Sequence, residues 1–353
     1  MRRFCAPSAR VSGGAGCSKR RDRDTLTPMK IVVSATVARD YGRRVRAIAP
    51  RATLITPSID ADGVLAWSGD VAGADVALLS EDLWQSLELR EKALPAFFRI
   101  DGLRWLHTFS AGVDSPAFQV IIDRGGLLTN SSGASAPSIA QYVIAMMLHR
   151  TKRIDEWREQ QRRHEWTQLS PGELTGQTAG IIGTGAIGGE VARLAKAFGM
   201  RTIGMRRSAR RTPHIDQLVT PRRLPHLLKH SDFVVLACPL TKDTEGLIGE
   251  RELRAMKPAA TLINVARGRV VDEAALIVAL EQGWIAGACL DVFAIEPLPE
   301  TSPLWDLPNV IVTPHNSGPS PLNMARAMAI FLDNLERFAN GRKLRNLVEK
   351  AGT

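Results

Sequence analysis

The chain has few cysteines, no membrane-length apolar run, and no acid at a position where many nucleotide-binding proteins carry one. Its four cysteines in 353 residues are Cys5, Cys17, Cys238 and Cys289. They form no CxxC pair and no metal-ligand spacing, which excludes a disulfide-stapled scaffold and a zinc ribbon, and no metal site is expected. The longest uninterrupted apolar stretch, around Phe233 to Cys238, falls far short of the roughly 18 residues a membrane-spanning helix needs. The composition therefore points to a soluble protein of a reducing cytoplasm with no membrane partner. The length and a 44% hydrophobic content suit about two domains, each with its own core.

The net charge of +10 is unevenly placed, because residues 1–28 hold seven Lys or Arg against only Asp22 and Asp24. Half of the excess belongs to this leader. It lacks an apolar core segment and any periodicity, and it precedes Met29-Lys30-Ile31-Val32-Val33, which has the character of a first strand. The leader is expected to be disordered, with a start assigned upstream of a native Met29 as its simplest explanation. An Arg-rich transit peptide is the alternative, and a nucleic-acid tail finds no supporting motif or aromatic residue. No nucleic-acid partner is expected.

From Lys30 onward, short β-branched or apolar runs alternate with amphipathic segments, the pattern of an α/β fold with parallel strands. Strands are expected at 30–34, 76–80, 105–109 and 127–129, with helices at 38–49 and 81–89. A small-residue stretch, 133–137, leads into an apolar helix that Ser138 is placed to cap, and this reads as a hinge between domains. The charged segment 151–168, read as one helix, carries Trp157 and Trp166 and suggests a subunit contact in a homodimer. A second series of strands follows at 178–182, 201–205, 233–237, 261–264, 288–292 and 310–313, and a closing helix at 323–339 is expected to carry the chain back. The fold class expected is α/β, with two Rossmann-like lobes of parallel sheets. A dinucleotide-binding domain (134–316) is inserted into a flavodoxin-like substrate domain (29–133 and 317–353).

Gly183-Thr184-Gly185-Ala186-Ile187-Gly188 is a GxGxxG motif, and it lies between an apolar strand and a helix pattern, the context such a motif requires. Gly183 permits the tight turn, Gly185 lets the backbone approach a pyrophosphate, and Gly188 allows helix and strand to pack closely. The amides of Ala186 and Ile187 would face phosphate oxygens at a helix start. About 20 residues on, an NAD site usually places an acid for the ribose 2′-hydroxyl. This chain instead has Met205-Arg206-Arg207-Ser208. Two guanidiniums and no carboxylate favour a 2′-phosphate, so NADP is the expected coenzyme, with NAD possible. Downstream, Arg267, Glu296 and His315 each sit at the end of an apolar run, and a cation, a carboxylate and an imidazole behind a nucleotide cradle suit proton-coupled hydride chemistry.

Three segments in order, Thr261-Leu262-Ile263-Asn264-Val265-Ala266-Arg267-Gly268, Leu290-Asp291-Val292-Phe293-Ala294-Ile295-Glu296-Pro297 and Thr313-Pro314-His315-Asn316-Ser317-Gly318, resemble the D-isomer-specific 2-hydroxyacid dehydrogenases. Ser110-Ala111-Gly112-Val113-Asp114 and Cys238-Pro239-Leu240-Thr241 add to the resemblance, which covers about residues 30–339. It implies that Arg267 binds the carboxylate and carbonyl of a 2-keto acid, that His315 exchanges the carbonyl proton, and that Glu296 orients and charges the imidazole. It implies that Ser110, Ala111 and Gly112 hold the substrate carboxylate. Coenzyme contacts would come from Cys238, Pro239, Thr244, Val265, Ala266, Asp291 and Gly318, with Asp291 at the nicotinamide carboxamide.

Gln141, where the family often has glutamate, and Asn316-Ser317 after the histidine depart from the pattern without removing a reacting group. The expected activity is reduction of a small 2-keto acid, glyoxylate or hydroxypyruvate, with NADPH. The alternatives are a phosphoglycerate dehydrogenase-type enzyme and a non-catalytic, dinucleotide-sensing regulator like the family's corepressors. A formate dehydrogenase fits less well, since Glu296 stands where that chemistry wants glutamine. The pocket for the substrate's side chain is sought around Trp67-Ser68-Gly69 and Ser80, where no residue is diagnostic.

Overall fold

The computed structural model describes residues 28–348 apart from 114 and 209–211. Residues 1–27 of the basic leader, with Cys5 and Cys17, and Asp114 of the serine-glycine segment lie outside the described residues. In chain order the first elements are β1 (Lys30–Val32), α1 (Ala35–Ile48), β2 (Thr53–Ile55), β3 (Pro57–Ile59), β4 (Leu65–Trp67), β5 (Val76–Leu79), α2 (Glu81–Gln85), α3 (Leu87–Phe98), β6 (Trp105–Thr108), α4 (Pro116–Asp123) and β7 (Leu127–Asn130). Five of these strands form one parallel sheet in the order β2-β1-β5-β6-β7, the flavodoxin-like winding. Strands β3 and β4 pair antiparallel in a separate ribbon.

The chain continues through α5 (Ala136–Thr151), α6 (Ile154–Arg162), β8 (Thr178–Ile182), α7 (Ala186–Ala197), β9 (Arg201–Met205), β10 (Gln217–Val219), α8 (Leu224–His230), β11 (Phe233–Leu236), α9 (Glu250–Arg254), β12 (Thr261–Asn264), α10 (Glu273–Glu281), β13 (Gly287–Leu290), β14 (Val310–Val312) and α11 (Asn323–Ala339). Its seven strands are all parallel, in the order β10-β9-β8-β11-β12-β13-β14. Winding reverses between β8 and β11, and a ligand crevice opens at the carboxyl ends of strands where that happens. Every residue of β8, β11, β12 and β13 is buried, as parallel strands covered on both faces must be.

Apolar faces decide which helix covers which sheet. Ile139, Val143 and Met147 of α5 pack with Val191 and Ala195 of α7 against Ile181 and Val235, while α8, α9 and α10 close the opposite face. Met328, Phe331, Leu332 and Leu335 bring α11 back onto the first sheet beside Ile31 and Val33, where Phe331 stacks on Trp105 at 5.5 Å. No helix among the described residues is long and apolar enough to cross a membrane.

Several local expectations are corrected. The hinge helix starts at Ala136 with Ser135 as its N-cap residue. Ser138 does not cap it, because Pro137 already occupies the first turn, and the Ser138 hydroxyl donates instead to the carbonyls of Ser317 and Pro319 at 3.1 and 3.3 Å. The single helix expected over 81–89 is two, broken at extended Ser86, whose hydroxyl accepts from the Leu89 amide and caps α3. The charged segment 151–168 is likewise interrupted at Arg153 in the left-handed region (φ 56°), and its helix ends at Arg162, so Trp166 lies beyond it. Strands β2, β3, β4 and β10 escaped the sequence reading because each is three residues long and only partly buried.

Candidate active site

The glycine motif is built by close approach. Gly183 has φ +97°, and a Cβ there would lie 2.6 Å from the Cys238 amide nitrogen; a Cβ on Gly188 would lie 2.0 Å from the Gly183 carbonyl oxygen. These contacts seat the turn against the end of β11 and the first turn of α7 against β8. Gly185, the N-cap residue of α7, faces open space, where a Cβ would meet nothing within 4 Å. With no side chain at the cap, the first-turn amides of Ala186, Ile187 and Gly188 point toward whatever fills that space, and an anion fits there. Gly133, after β7, lies against Ala186, so a loop of the first sheet borders this cradle.

Strand register sets the arginines beside it. Met205 pairs with Ile182 and accepts from the Gly183 amide at 3.0 Å, so Arg206 and Arg207 emerge directly alongside the glycine turn. Arg206 is half-buried and donates to the Thr212 hydroxyl at 3.3 Å. Arg207 and Ser208 are exposed, and their side chains have no partner among the described residues. Positive charge without a carboxylate at the end of β9 fits a dinucleotide bearing a 2′-phosphate.

Cys238 is buried, and burial pushes its thiol up to about 11, which keeps it a neutral wall residue. The Thr244 hydroxyl stays within its own loop, donating to the Pro239 carbonyl at 2.7 Å and accepting from the Thr241 amide at 2.8 Å. Val265 and Ala266 are buried at the end of β12.

The expected catalytic residues meet through a short chain of contacts. Asn264 folds the turn after β12, accepting from the Ala266 amide at 3.0 Å and donating to the Arg267 carbonyl at 3.1 Å. Gly268 then touches the loop after β13 so closely that a Cβ would sit 1.8 Å from the carbonyl carbon of Phe293. Only glycine permits that approach. The Phe293 amide donates to Glu296 Oε1 at 3.0 Å, and Glu296 Oε2 meets His315 Nδ1 at 2.8 Å. Arg267, half-buried, donates to the Ala266 carbonyl at 2.8 Å.

Asp291 is 1% exposed. Its Oδ1 accepts from the Thr313 hydroxyl at 2.6 Å and the Asn316 amide at 2.8 Å, and its carboxylate also accepts from the Ser317 amide at 3.0 Å. It thus ties down both sides of His315. Thr313 is bonded in turn to the Tyr142 hydroxyl at 2.9 Å, and burial raises the Tyr142 phenol above its ordinary range. Gly318 rests near Ser135 and Ile139 of α5, with its carbonyl accepting from Asn323 at 2.8 Å. Asn264, Thr313 and Tyr142 were not singled out from the sequence. A polar residue at a strand end just before Arg267 or His315 was the available signal for the first two.

Ser110, Ala111 and Gly112 form the loop after β6. The Ser110 hydroxyl donates to the Gly112 carbonyl at 2.6 Å, Asn130 donates to the Ala111 carbonyl at 2.8 Å, and the Ser131 amide donates to the Ser110 carbonyl at 3.2 Å. Trp67, one place where a side-chain pocket was sought, packs edge-on against Phe97 at 5.5 Å in the first sheet's core. His107, beneath the loop, is fully buried between the Thr129 and Ser131 hydroxyls, and burial holds it down to about 3.

Residues 144–317 match the model of the D-isomer-specific 2-hydroxyacid dehydrogenase NAD-binding domain. A glyoxylate reductase of Thermococcus gammatolerans is 40% identical over 270 residues, covering 71% of this chain and 80% of its own. Among solved structures, a D-isomer-specific 2-hydroxyacid dehydrogenase family protein of Aeromonas salmonicida superposes with a TM-score of 0.76 at 30% identity, covering 92% of this chain and all of the other. A second, from Xanthobacter autotrophicus, solved with NADPH and MES, gives a TM-score of 0.74 at 29% identity over 91% of this chain and 98% of its own.

Proposed function

Because the chain belongs to the D-isomer-specific 2-hydroxyacid dehydrogenase family, we propose that it is an NADPH-preferring reductase of 2-keto acids, with glyoxylate and hydroxypyruvate as substrates and NADH as a poorer coenzyme. The observation that carries this reading is the His315–Glu296 pair at 2.8 Å, held beside the Arg267 turn by the Gly268 contact.

A bound nicotinamide coenzyme supplies the hydride that reaches C2 of the keto acid. Arg267 lays a planar fork of donors against the substrate's carboxylate and carbonyl oxygens and stabilises negative charge developing on the latter. Glu296 accepts at Nδ1 of His315, so the imidazole carries a proton there and exchanges its other proton at Nε2. That Nε2 proton goes to the carbonyl oxygen as hydride arrives at carbon, giving the 2-hydroxy acid; the reverse reaction returns it. Amides of Ala111 and Gly112, in the loop that Ser110 opens, hold the substrate carboxylate. Asp291 keeps acceptor capacity on Oδ2 for the nicotinamide carboxamide. Gly183 to Gly188 would hold the coenzyme's phosphates, Arg206, Arg207 and Ser208 would hold a 2′-phosphate, and Cys238, Pro239, Thr244, Val265, Ala266 and Gly318 would make the remaining contacts.

We read residues 29–133 and 317–353 as the substrate domain and 134–316 as the coenzyme domain, closing on the substrate between them. The exposed tryptophans, Trp157 at 39% and Trp166 at 97%, support a homodimer, and the soluble fold suits the cytoplasm. Steady-state assays with glyoxylate and hydroxypyruvate test the activity. NADPH consumption is expected, and no turnover of any 2-keto acid, or NADH outperforming NADPH, would refute the corresponding part.

A further inference from the structure

We propose that Glu273, at the start of α10, is a positioning residue for the reaction, acting through the stretch of backbone that carries Glu296. The inference rests on the reading of Glu296 and His315 as the pair that handles the proton. Phe293 and Leu298 both pack into one hydrophobic core, but residues 294–297 between them are exposed. Glu296 must hold its aim from that exposed stretch. The Ala294 amide donates to Glu273 Oε2 at 3.0 Å, and the preceding amide, of Phe293, donates to Glu296 Oε1 at 3.0 Å. Two successive amides are thus taken by two carboxylates, one from another element and one from the loop itself. The other oxygen of the second carboxylate meets His315 Nδ1 at 2.8 Å.

Planarity couples these bonds. The Ala294 amide and the Phe293 carbonyl belong to one rigid peptide group, and that group is the one Gly268 approaches so closely. Gly268 limits it by contact, whereas Glu273 holds it by attraction. With the group fixed, the direction in which the chain leaves Phe293 is set, and so is the path by which Glu296 turns back to the Phe293 amide. The support is itself firm. Asp272 caps α10 by accepting from the Ala275 amide at 3.1 Å, and Leu276 and Leu280 are buried in the core beneath. Glu273 is half-buried in the first turn of this helix, where a carboxylate is favoured by the helix dipole, and a bond from an amide to an ionised acceptor is among the stronger hydrogen bonds.

The test joins steady-state kinetics with glyoxylate and NADPH to amide hydrogen exchange in the full chain without ligands. Glu273→Ala should lower kcat about tenfold, part of the roughly 100-fold that a misplacement of about 1 Å costs, while the dissociation constant for NADPH holds. The Phe293 amide should exchange faster, although its own bond is to Glu296 and not to Glu273. Glu273→Gln keeps an acceptor oxygen within reach and should restore both kcat and protection. On a Glu296→Ala background, Glu273→Ala should cost little more, since residues that act through one another are not additive. Should Glu273→Ala be too unstable to assay, Glu273→Asp, shorter by one methylene, should show the same losses. Wild-type kcat in these variants, an unchanged exchange rate at Phe293, no rescue by Glu273→Gln, or an equal loss on the Glu296→Ala background overturns the role of Glu273 alone. Wild-type kcat in Glu296→Ala, or no turnover of glyoxylate by the wild-type chain, overturns the reading of the site itself.

Discussion

Gly268→Ala is the sharpest perturbation available, because the structure fixes both its cause and its reach. An added Cβ would lie 1.8 Å from the Phe293 carbonyl carbon, 2.0 Å from its oxygen and 2.3 Å from the Ala294 nitrogen, where real Cβ contacts do not fall below 3.0 Å. The obstacle is backbone on both sides, so no side chain can swing away, and the loops after β12 and β13 must separate by more than about 1 Å. Gly268 is not among the glycines with positive φ, so the effect is steric. Overpacking of this kind costs roughly 1–3 kcal/mol of stability, readable as a lower melting temperature.

The functional loss should be larger. The displaced Phe293 amide anchors Glu296, which orients His315, and a misplacement of about 1 Å in a catalytic group costs about 100-fold in rate. The assay is kcat/KM for the keto acid alongside the dissociation constant for NADPH. The first should fall about 100-fold and the second should weaken far less, since Val265, Ala266 and Asp291 border the displaced loops but the glycine turn is carried by a different strand. Wild-type melting and kcat/KM in Gly268→Ala would refute the claim that this contact sets the site.

Three further outcomes follow from the same geometry. His315→Gln should lower kcat by about 10² to 10⁴, the usual contribution of a general acid-base group, in steady-state assays, while coenzyme affinity holds. Arg207→Ala, removing a guanidinium with no carboxylate partner among the described residues, should weaken binding of 2′,5′-ADP by about tenfold, the range of a charged hydrogen bond. Binding of 5′-AMP should not change, and calorimetry with both ligands separates the two. His107 is neutral when folded and held down to about 3 from 6.5 by burial, so between those values the unfolded chain binds a proton that the folded one does not. Stability should therefore fall as pH drops below 6.5, by about 1.4 kcal/mol per pH unit from this group; urea midpoints of His107→Gln should lose that slope.

What the sequence disclosed was whatever rests on periodicity or on a residue type with few uses. The fully buried β11 stood out as an unbroken apolar run and β8 and β12 as short apolar-centred segments, and GxGxxG marked the turn that joins β8 to α7. The short, half-exposed β2 and β10 carry too little pattern to be seen, and they exist because a neighbouring strand offers an unpaired edge. Ser138 was misjudged because a serine at a helix start suits a cap, and the carbonyls that claim its hydroxyl lie some 180 positions away, at Ser317 and Pro319.

The loop carrying His315 shows how such distant contacts are put to use. His315 sits in the left-handed region at φ 50°, a conformation that costs a non-glycine residue about 1–3 kcal/mol. Its amide is held by the Asp291 carbonyl at 2.8 Å, and the amides of Asn316 and Ser317 donate to the Asp291 carboxylate. An ionised carboxylate only accepts, so the short bond between Thr313 and Asp291 must use the threonine's one hydroxyl proton. Thr313 then has only lone pairs left for Tyr142, and the phenol must be the donor in their 2.9 Å bond. Tyr142 and Ser138 are four residues apart and share a face of α5. Both therefore donate from one helix into one loop, Tyr142 through Thr313 and Ser138 directly to the Ser317 carbonyl, and the backbone on either side of His315 is fixed to the helix that leads into the seven-stranded sheet.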